Sequence, residues 1–195
     1  MTLVRQAATK ATFFALGLFA LVPQPFVATA ALAETAIAPE KNPPGDIPDS
    51  QAFVTYSGAL GYELKVPEGW ARSDAGPSIS LVSKLDGRSV SVSDLAAAPT
   101  LDWANQTYVP DMVAKGRAVE IAKVSSEKLP AGEVIKIAYS LNSEPNAVTT
   151  KQIRLEANRY LFFKAGKLAV MDLYAPLGAD NVDQWQLMSR SFAWH

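Results

Sequence analysis

The stretch RYLFFKAGKLAVMDLYA (159–175) decides the fold. It reads as two strands turning at Ala165-Gly166, a two-residue connection of the kind that closes a tight hairpin. The turn sets Phe163 opposite Leu168, Leu161 opposite Val170, Tyr160 opposite Met171 and Arg159 opposite Asp172. Apolar residues fall on both faces of both arms. A strand that is apolar on one face can lie on a surface, whereas one that is apolar on both needs cover on each side. The hairpin is therefore expected in the middle of a sheet with material packed above and below it.

The flanking sequence extends the sheet. In GYELKVPEGW (61–70), Tyr62, Leu64 and Val66 alternate with Glu63 and Lys65, giving one buried and one wet face. Pro67 to Gly69 then suit a turn, and Trp70 is expected to close over the sheet as scaffold. In ISLVSKLDGRSVSVSDL (79–95), Asp86-Gly87 predicts a hairpin pairing Leu81 with Val92 and Ser83 with Val90. Ile79, Leu81, Val90 and Val92 then share the apolar face, and Ser80, Ser89, Ser91 and Ser93 the polar one. Strands are also predicted over 117–129, 133–141 and 148–157.

Two helices interrupt this pattern. TLDWANQTYVPDMVAKG (100–116) has Thr100 to cap it, Asp102 in its first turn and Gly116 to end it. Pro110 should kink or divide it. GADNVDQWQLMSRSF (178–192) carries an apolar stripe of Val182, Trp185, Met188 and Phe192, with Asp180 as the expected N-cap. Strands in runs, with few helices, predict an α+β class built on an antiparallel sheet.

The ends of the chain carry a different message. Arg5 and Lys10 precede the apolar run ATFFALGLFALV (11–22), and small residues follow Pro23 and Pro25. This is the order of a secretory signal peptide. The apolar run is shorter than the roughly 20 residues a membrane span needs. Ala31 and Ala33 place cleavage after Ala33, with Ala30 as the weaker alternative. Residues 34–52 contain four prolines and read as an extended, poorly ordered leader, leaving 53–195 as the single folded domain. Export predicts a periplasmic or secreted protein. With no cysteine, the fold is held by its core without disulfides. Removal of 1–33 leaves 16 basic residues against 19 acidic ones, which argues against nucleic acid as a partner.

Chemistry is sparse. His195 is the only histidine and ends the chain, a poor place for a general base. No Cys, one His, and only the acid pairs Asp46/Asp49 and Asp180/Asp183 speak against a metal site. No glycine loop suits a phosphate, and no cofactor is expected. Asp172 opposite Arg159 reads as a cross-strand ion pair. Trp103, Tyr108, Tyr160 and Tyr174 are the candidate ligand or partner contacts, with core packing as the competing role.

Four stretches together resemble a known superfamily: GYELKVPEGW (61–70), TLDWANQ (100–106), YLFFKAGKLAVMDLYAP (160–176) and SRSFAW (189–194). The chain is similar over 53–194 to the group that joins PsbP, the extrinsic subunit of the photosynthetic oxygen-evolving complex, with the Mog-type Ran-binding proteins and the LpqN-like bacterial envelope proteins. The resemblance implies a central antiparallel sheet with helices on both faces, an α/β/α sandwich. It implies no catalytic set, since members bind partners or act as accessories. The expected function is that of a non-catalytic exported accessory or binding protein, whose partner is an envelope protein or a small apolar ligand. A small-molecule or lipid carrier is the alternative, and a hydrolase is the reading with least support.

Overall fold

In the computed structural model, which describes residues 34–195, the 159–175 hairpin forms in the expected register. Phe163 faces Leu168, Leu161 faces Val170, Tyr160 faces Met171 and Arg159 faces Asp172. Ala165 (φ 48°) and Gly166 (φ 78°) make the turn, both left-handed, as a two-residue hairpin of this hand requires. The expected signal peptide, 1–33, lies outside the described residues.

The strands are β1 (Phe53–Gly58), β2 (Tyr62–Pro67), β3 (Ala71–Ala75), β4 (Ser78–Val82), β5 (Gly87–Asp94), β6 (Glu120–Leu129), β7 (Gly132–Asn142), β8 (Arg154–Lys164), β9 (Lys167–Pro176) and β10 (Ala193–Trp194). Seven form one antiparallel sheet in the order β3-β4-β5-β9-β8-β7-β6, and three form a second in the order β1-β2-β10. The hairpin arms β8 and β9 thus lie inside the large sheet. Helical residues are α1 (Leu101–Trp103), α2 (Val109–Lys115) and α3 (Val182–Arg190).

The doubly apolar arms feed two cores. Tyr160, Phe162, Ala169, Met171 and Leu173 enter the first, with Val90, Val92, Tyr62, Leu64 and Val66 from the neighbouring strands and Trp185, Met188 and Phe192 from the chain's end. Phe162 and Phe192 stack at 4.0 Å between ring centroids, and Tyr62 stacks on Phe192 at 5.7 Å. Leu161, Leu168 and Val170 point the other way, to Ile135, Ile137 and Tyr139 of β7 and to Trp103, Tyr108 and Met112.

The α+β domain and the antiparallel sheet are as expected. The α/β/α sandwich, with helices flanking both faces of the sheet, is not what the chain builds. The first face is roofed largely by the small sheet β1-β2-β10, with the nine-residue α3 beside it. On the second face the helical run is short and leaves sheet uncovered. That run is also broken. Pro110 has no N–H to offer the carbonyl one turn back, and Ala104–Tyr108 winds as a π-turn in which the N–H of Val109 reaches the carbonyl of Ala104.

Several local details differ from the sequence reading. Of the strand predicted over 148–157 only 154–157 is extended, as the start of β8, while 148–153 form a turn and loop. Val182 of the expected apolar stripe is 62% exposed. The 79–95 hairpin pairs Ile79 with Val90 and Leu81 with Arg88, four residues off the expected register. An even slip keeps every side chain on its face, so the apolar set is the same. Gly87 begins β5 rather than making the turn, and a Cβ there would collide with the Tyr174 ring. Asp180 does not cap α3; the N-cap is Asn181, whose side chain makes no capping bond. Thr100 does cap, accepting from the N–H of Trp103 at 3.1 Å, and the Gly116 N–H closes α2 on Met112.

Trp70 is half-buried against the first core, with the Arg88 guanidinium 5.5 Å from its ring centroid. Arg88 has no exposed surface. Its Nη1 donates to the Lys65 carbonyl at 3.2 Å, while Nε and Nη2 have no partner. Burial lowers its pKa to about 9.

Residues 34–52 carry no helix or strand, as their prolines dictate, but they lie along the domain. Ile47 enters the first core. Glu34 and Glu40 pair with Arg117 and Lys151, at 3.1 and 2.7 Å.

Candidate functional site

The sheet face left open beyond α2 is the floor of a cleft of about 850 Å³. Tyr139 and Leu141 of β7, Leu155 and Arg159 of β8, Asp172 and Tyr174 of β9 and Ser89 of β5 form the floor. Residues 82–85 form one rim and residues 143–151 another. Glu40 and Pro44 contribute from the N-terminal segment, Lys115 to Arg117 from the end of α2. Period two explains the floor: residues 172 and 174 share a face with Leu168 and Val170, and Arg159 with Leu161.

At the centre Arg159 and Asp172 meet as the cross-strand pair predicted from the hairpin. Arg159 Nε donates to Asp172 Oδ1 at 2.6 Å and Nη2 to Oδ2 at 2.8 Å. This two-pronged geometry is the strong form of the interaction. Tyr139 Oη donates to Asp172 Oδ1 at 3.1 Å, and Arg159 Nη1 donates to Tyr108 Oη at 3.3 Å. The guanidinium also lies 5.8 and 5.7 Å from the ring centroids of Tyr108 and Tyr139. Burial alone would weaken the charge of Arg159, but hydrogen bonds and charge from Asp172 outweigh it and keep the group firmly protonated. Burial raises the pKa of Tyr139, and the Asp172 carboxylate raises it further. Burial likewise raises those of Tyr108 and Tyr174, in the latter case with help from Asp172 and Asp86.

This network is satisfied from within. The carboxylate accepts from Arg159 and Tyr139, and the phenols are held neutral. Nothing in it is poised to attack or to take a proton. The chain's single histidine sits at the far edge of the small sheet, its backbone N–H bonded to the Gly61 carbonyl and Nε2 at 3.9 Å from Glu63. Among the described residues no three His, Asp or Glu side chains converge as metal ligands.

The four predicted contact residues do not converge. Tyr174 lines the cleft, and Tyr108 reaches its edge through Arg159. Trp103 packs on Tyr108, with ring centroids 5.2 Å apart, against the second core. Tyr160 is on the opposite face of the sheet, 2% exposed, beside a separate hollow of about 370 Å³ shared with Trp185. Its neighbour Arg159 reaches the cleft because adjacent strand residues point apart. Among the cleft residues that the sequence reading passes over are Tyr139, Leu85 and Lys84. Tyr139 belongs to an apolar strand face and carries no signal of its own, while Leu85 and Lys84 owe their place to the actual hairpin register.

The molecule so described is an α+β domain with a mixed polar and aromatic cleft on the open face of an antiparallel sheet. Its fold is that of PsbP and Mog1. The solution structure of cyanobacterial PsbP (CyanoP) from Synechocystis sp. PCC 6803 superposes with a TM-score of 0.52 at 17% identity, covering 77% of this chain and 98% of that one. The crystal structure of the Saccharomyces cerevisiae Ran-binding protein Mog1p gives 0.51 at 13% identity, covering 74% and 96%. No protein-family model matches the chain, and no curated protein matches it in sequence.

Proposed function

We propose that this is an exported, non-catalytic accessory protein that holds an envelope protein through the cleft. The observation that carries the reading is the internally satisfied Arg159–Asp172–Tyr139 network. It gives a rigid floor and leaves the rims to make contacts. Lys84, Leu85 and Tyr174 offer a cation, an apolar side chain and an amphipathic ring, the mixture that suits a protein surface. Export rests on the order of charges, apolar run and small residues in 1–33. No helix among the described residues is long and apolar enough to cross a membrane. The fold neighbour Mog1p is described as a Ran-binding protein, which is in keeping with a binding role for this fold.

The volume of the cleft favours one other reading, a carrier of a small apolar ligand, since ligand sites span roughly 300–1,000 Å³. Its lining speaks against it: Lys84, Lys115, Arg117, Lys151 and Arg159 face it together with Glu40, Glu144 and Asp172. Affinity capture from a periplasmic extract separates the two. The tagged protein should retain a defined partner that the Leu85→Asp, Tyr174→Ala variant loses. Recovery of bait alone with a co-purifying lipid would overturn the proposal in favour of the carrier. Sequencing of the N-terminus tests export and should begin at Glu34.

A further inference from the structure

Two buried asparagines, far apart in sequence, grip residues 34–47 in the same way. Asn142 is 1% exposed: its Nδ2 donates to the Thr35 carbonyl at 2.9 Å, and its Oδ1 accepts from the Ile37 N–H at 3.1 Å. Asn181 is 2% exposed: its Nδ2 donates to the Gly45 carbonyl at 2.8 Å, and its Oδ1 accepts from the Ile47 N–H at 2.7 Å. Each carboxamide reads the carbonyl of one residue and the N–H of the second one after it. This is the pair of bonds that a residue in a parallel neighbouring strand would make. The two clamps are ten residues apart along the segment, and each grips backbone, Asn142 reaching the Glu34 carboxylate as well.

Side chains add a charge requirement. Glu34 Oε1 accepts from Gln152 Nε2 at 2.7 Å and from Asn142 Nδ2 and Arg117 Nη2 at 3.1 Å each. The hydrogen bond from Asn142 is the main reason its carboxyl lies below the ordinary range. Glu40 pairs with Lys151 between the clamps. Asn142 is itself fixed, because Arg154, 3% exposed, donates to its Oδ1 at 3.0 Å. The track is thus built and oriented by the domain, and the segment supplies an extended backbone with acids at three positions, Glu34, Glu40 and Asp46, the last accepting from the Asp180 N–H at 2.8 Å.

We propose that Asn142 and Asn181 form a binding track for an extended acidic polypeptide, filled in cis by residues 34–47, and that the same segment of a second copy of this chain can take its place. The segment is a strap, bound by contacts that any chain of its sequence makes equally well. In cis it enjoys the high effective concentration of a tethered ligand, millimolar for a short link, so exchange is suppressed until the strap is weakened. The track shares Glu40, Arg117 and Lys151 with the rim of the cleft, but the inference does not depend on what the cleft binds.

The test uses a labelled peptide of residues 34–47 with the purified exported protein, followed by fluorescence anisotropy. The probes are the wild type and a Glu34→Ala, Glu40→Ala variant, which loosens the strap and leaves the track intact. The variant should take up the peptide at least tenfold more tightly than the wild type. A peptide N-methylated at the residues corresponding to Ile37 and Ile47 lacks the two donors that the clamps read, and it should not bind. Equal uptake by the two proteins, no uptake by either, or binding of the methylated peptide would each overturn the proposal.

Discussion

Asp86 should make this protein lose stability as the pH rises through about 6. The residue is 7% exposed and its Oδ1 has no hydrogen-bond partner. Burial, and then the nearby Asp46 carboxylate, push its pKa from an ordinary 3.8 up to about 6. The folded state therefore holds this proton more tightly than the unfolded chain does. The stability tied to it is fully present below pH 3.8 and is lost as the pH climbs through 6. At about 1.4 kcal/mol per pH unit, the gap between the two values is worth about 3 kcal/mol at neutral pH. That is a large part of a net stability of about 5–15 kcal/mol. Asp86→Asn keeps the shape and removes the charge. Urea titrations from pH 4 to 8 should show the variant level with the wild type near pH 4 and more stable by up to about 3 kcal/mol at pH 8. Other carboxyls titrate in both proteins, so the difference between the curves isolates Asp86. Parallel curves across the range would refute the reasoning.

Three further outcomes are expected. Arg88→Met removes a buried cation that has no carboxylate partner, so stability measured in urea should hold or rise by up to about 3 kcal/mol; a loss beyond about 2 kcal/mol would mean that the contact with Trp70 outweighs desolvation. Gly87→Ala drives a methyl into the Tyr174 ring and should cost about 1–3 kcal/mol, and most of that loss should disappear in a Tyr174→Ala background. Trp70→Ala should cost about 2–3 kcal/mol, below the range for a fully buried aromatic, because the ring is only half-buried; an unchanged melting temperature would sink its role as scaffold.

The central hairpin was legible because two independent signals agreed. Apolar residues on both faces of 159–175 demanded an interior position, and Ala165-Gly166 allowed a single register that also brought Arg159 to Asp172. The 79–95 hairpin lacked that second constraint. Its alternation survives any even slip, and Asp86-Gly87 has the form of a turn pair although the role of Gly87 is to admit Tyr174. The cover of the sheet was harder to foresee. β2 reads as a strand, but nothing local says that it joins β1 and β10 in a separate sheet roofing the first core. The strap depends on the side-chain amides of Asn142 and Asn181, each more than a hundred residues from the backbone it grips, and its prolines carry no trace of that. Of the cleft, the ion pair and Tyr174 were visible in the sequence. Tyr139 and the 82–85 rim required the tertiary structure, because their position comes from neighbours in space.

The binding role of the cleft is tested most directly by site-specific photo-crosslinking in intact cells. A photoreactive residue at position 85 samples the cleft rim, and one at position 182, where Val182 is 62% exposed on α3, samples a surface away from it. A discrete adduct with one envelope protein at 85, absent at 182 and weakened by Lys84→Glu, is the predicted result. Adducts of equal strength at both positions, or at 182 alone, would contradict it.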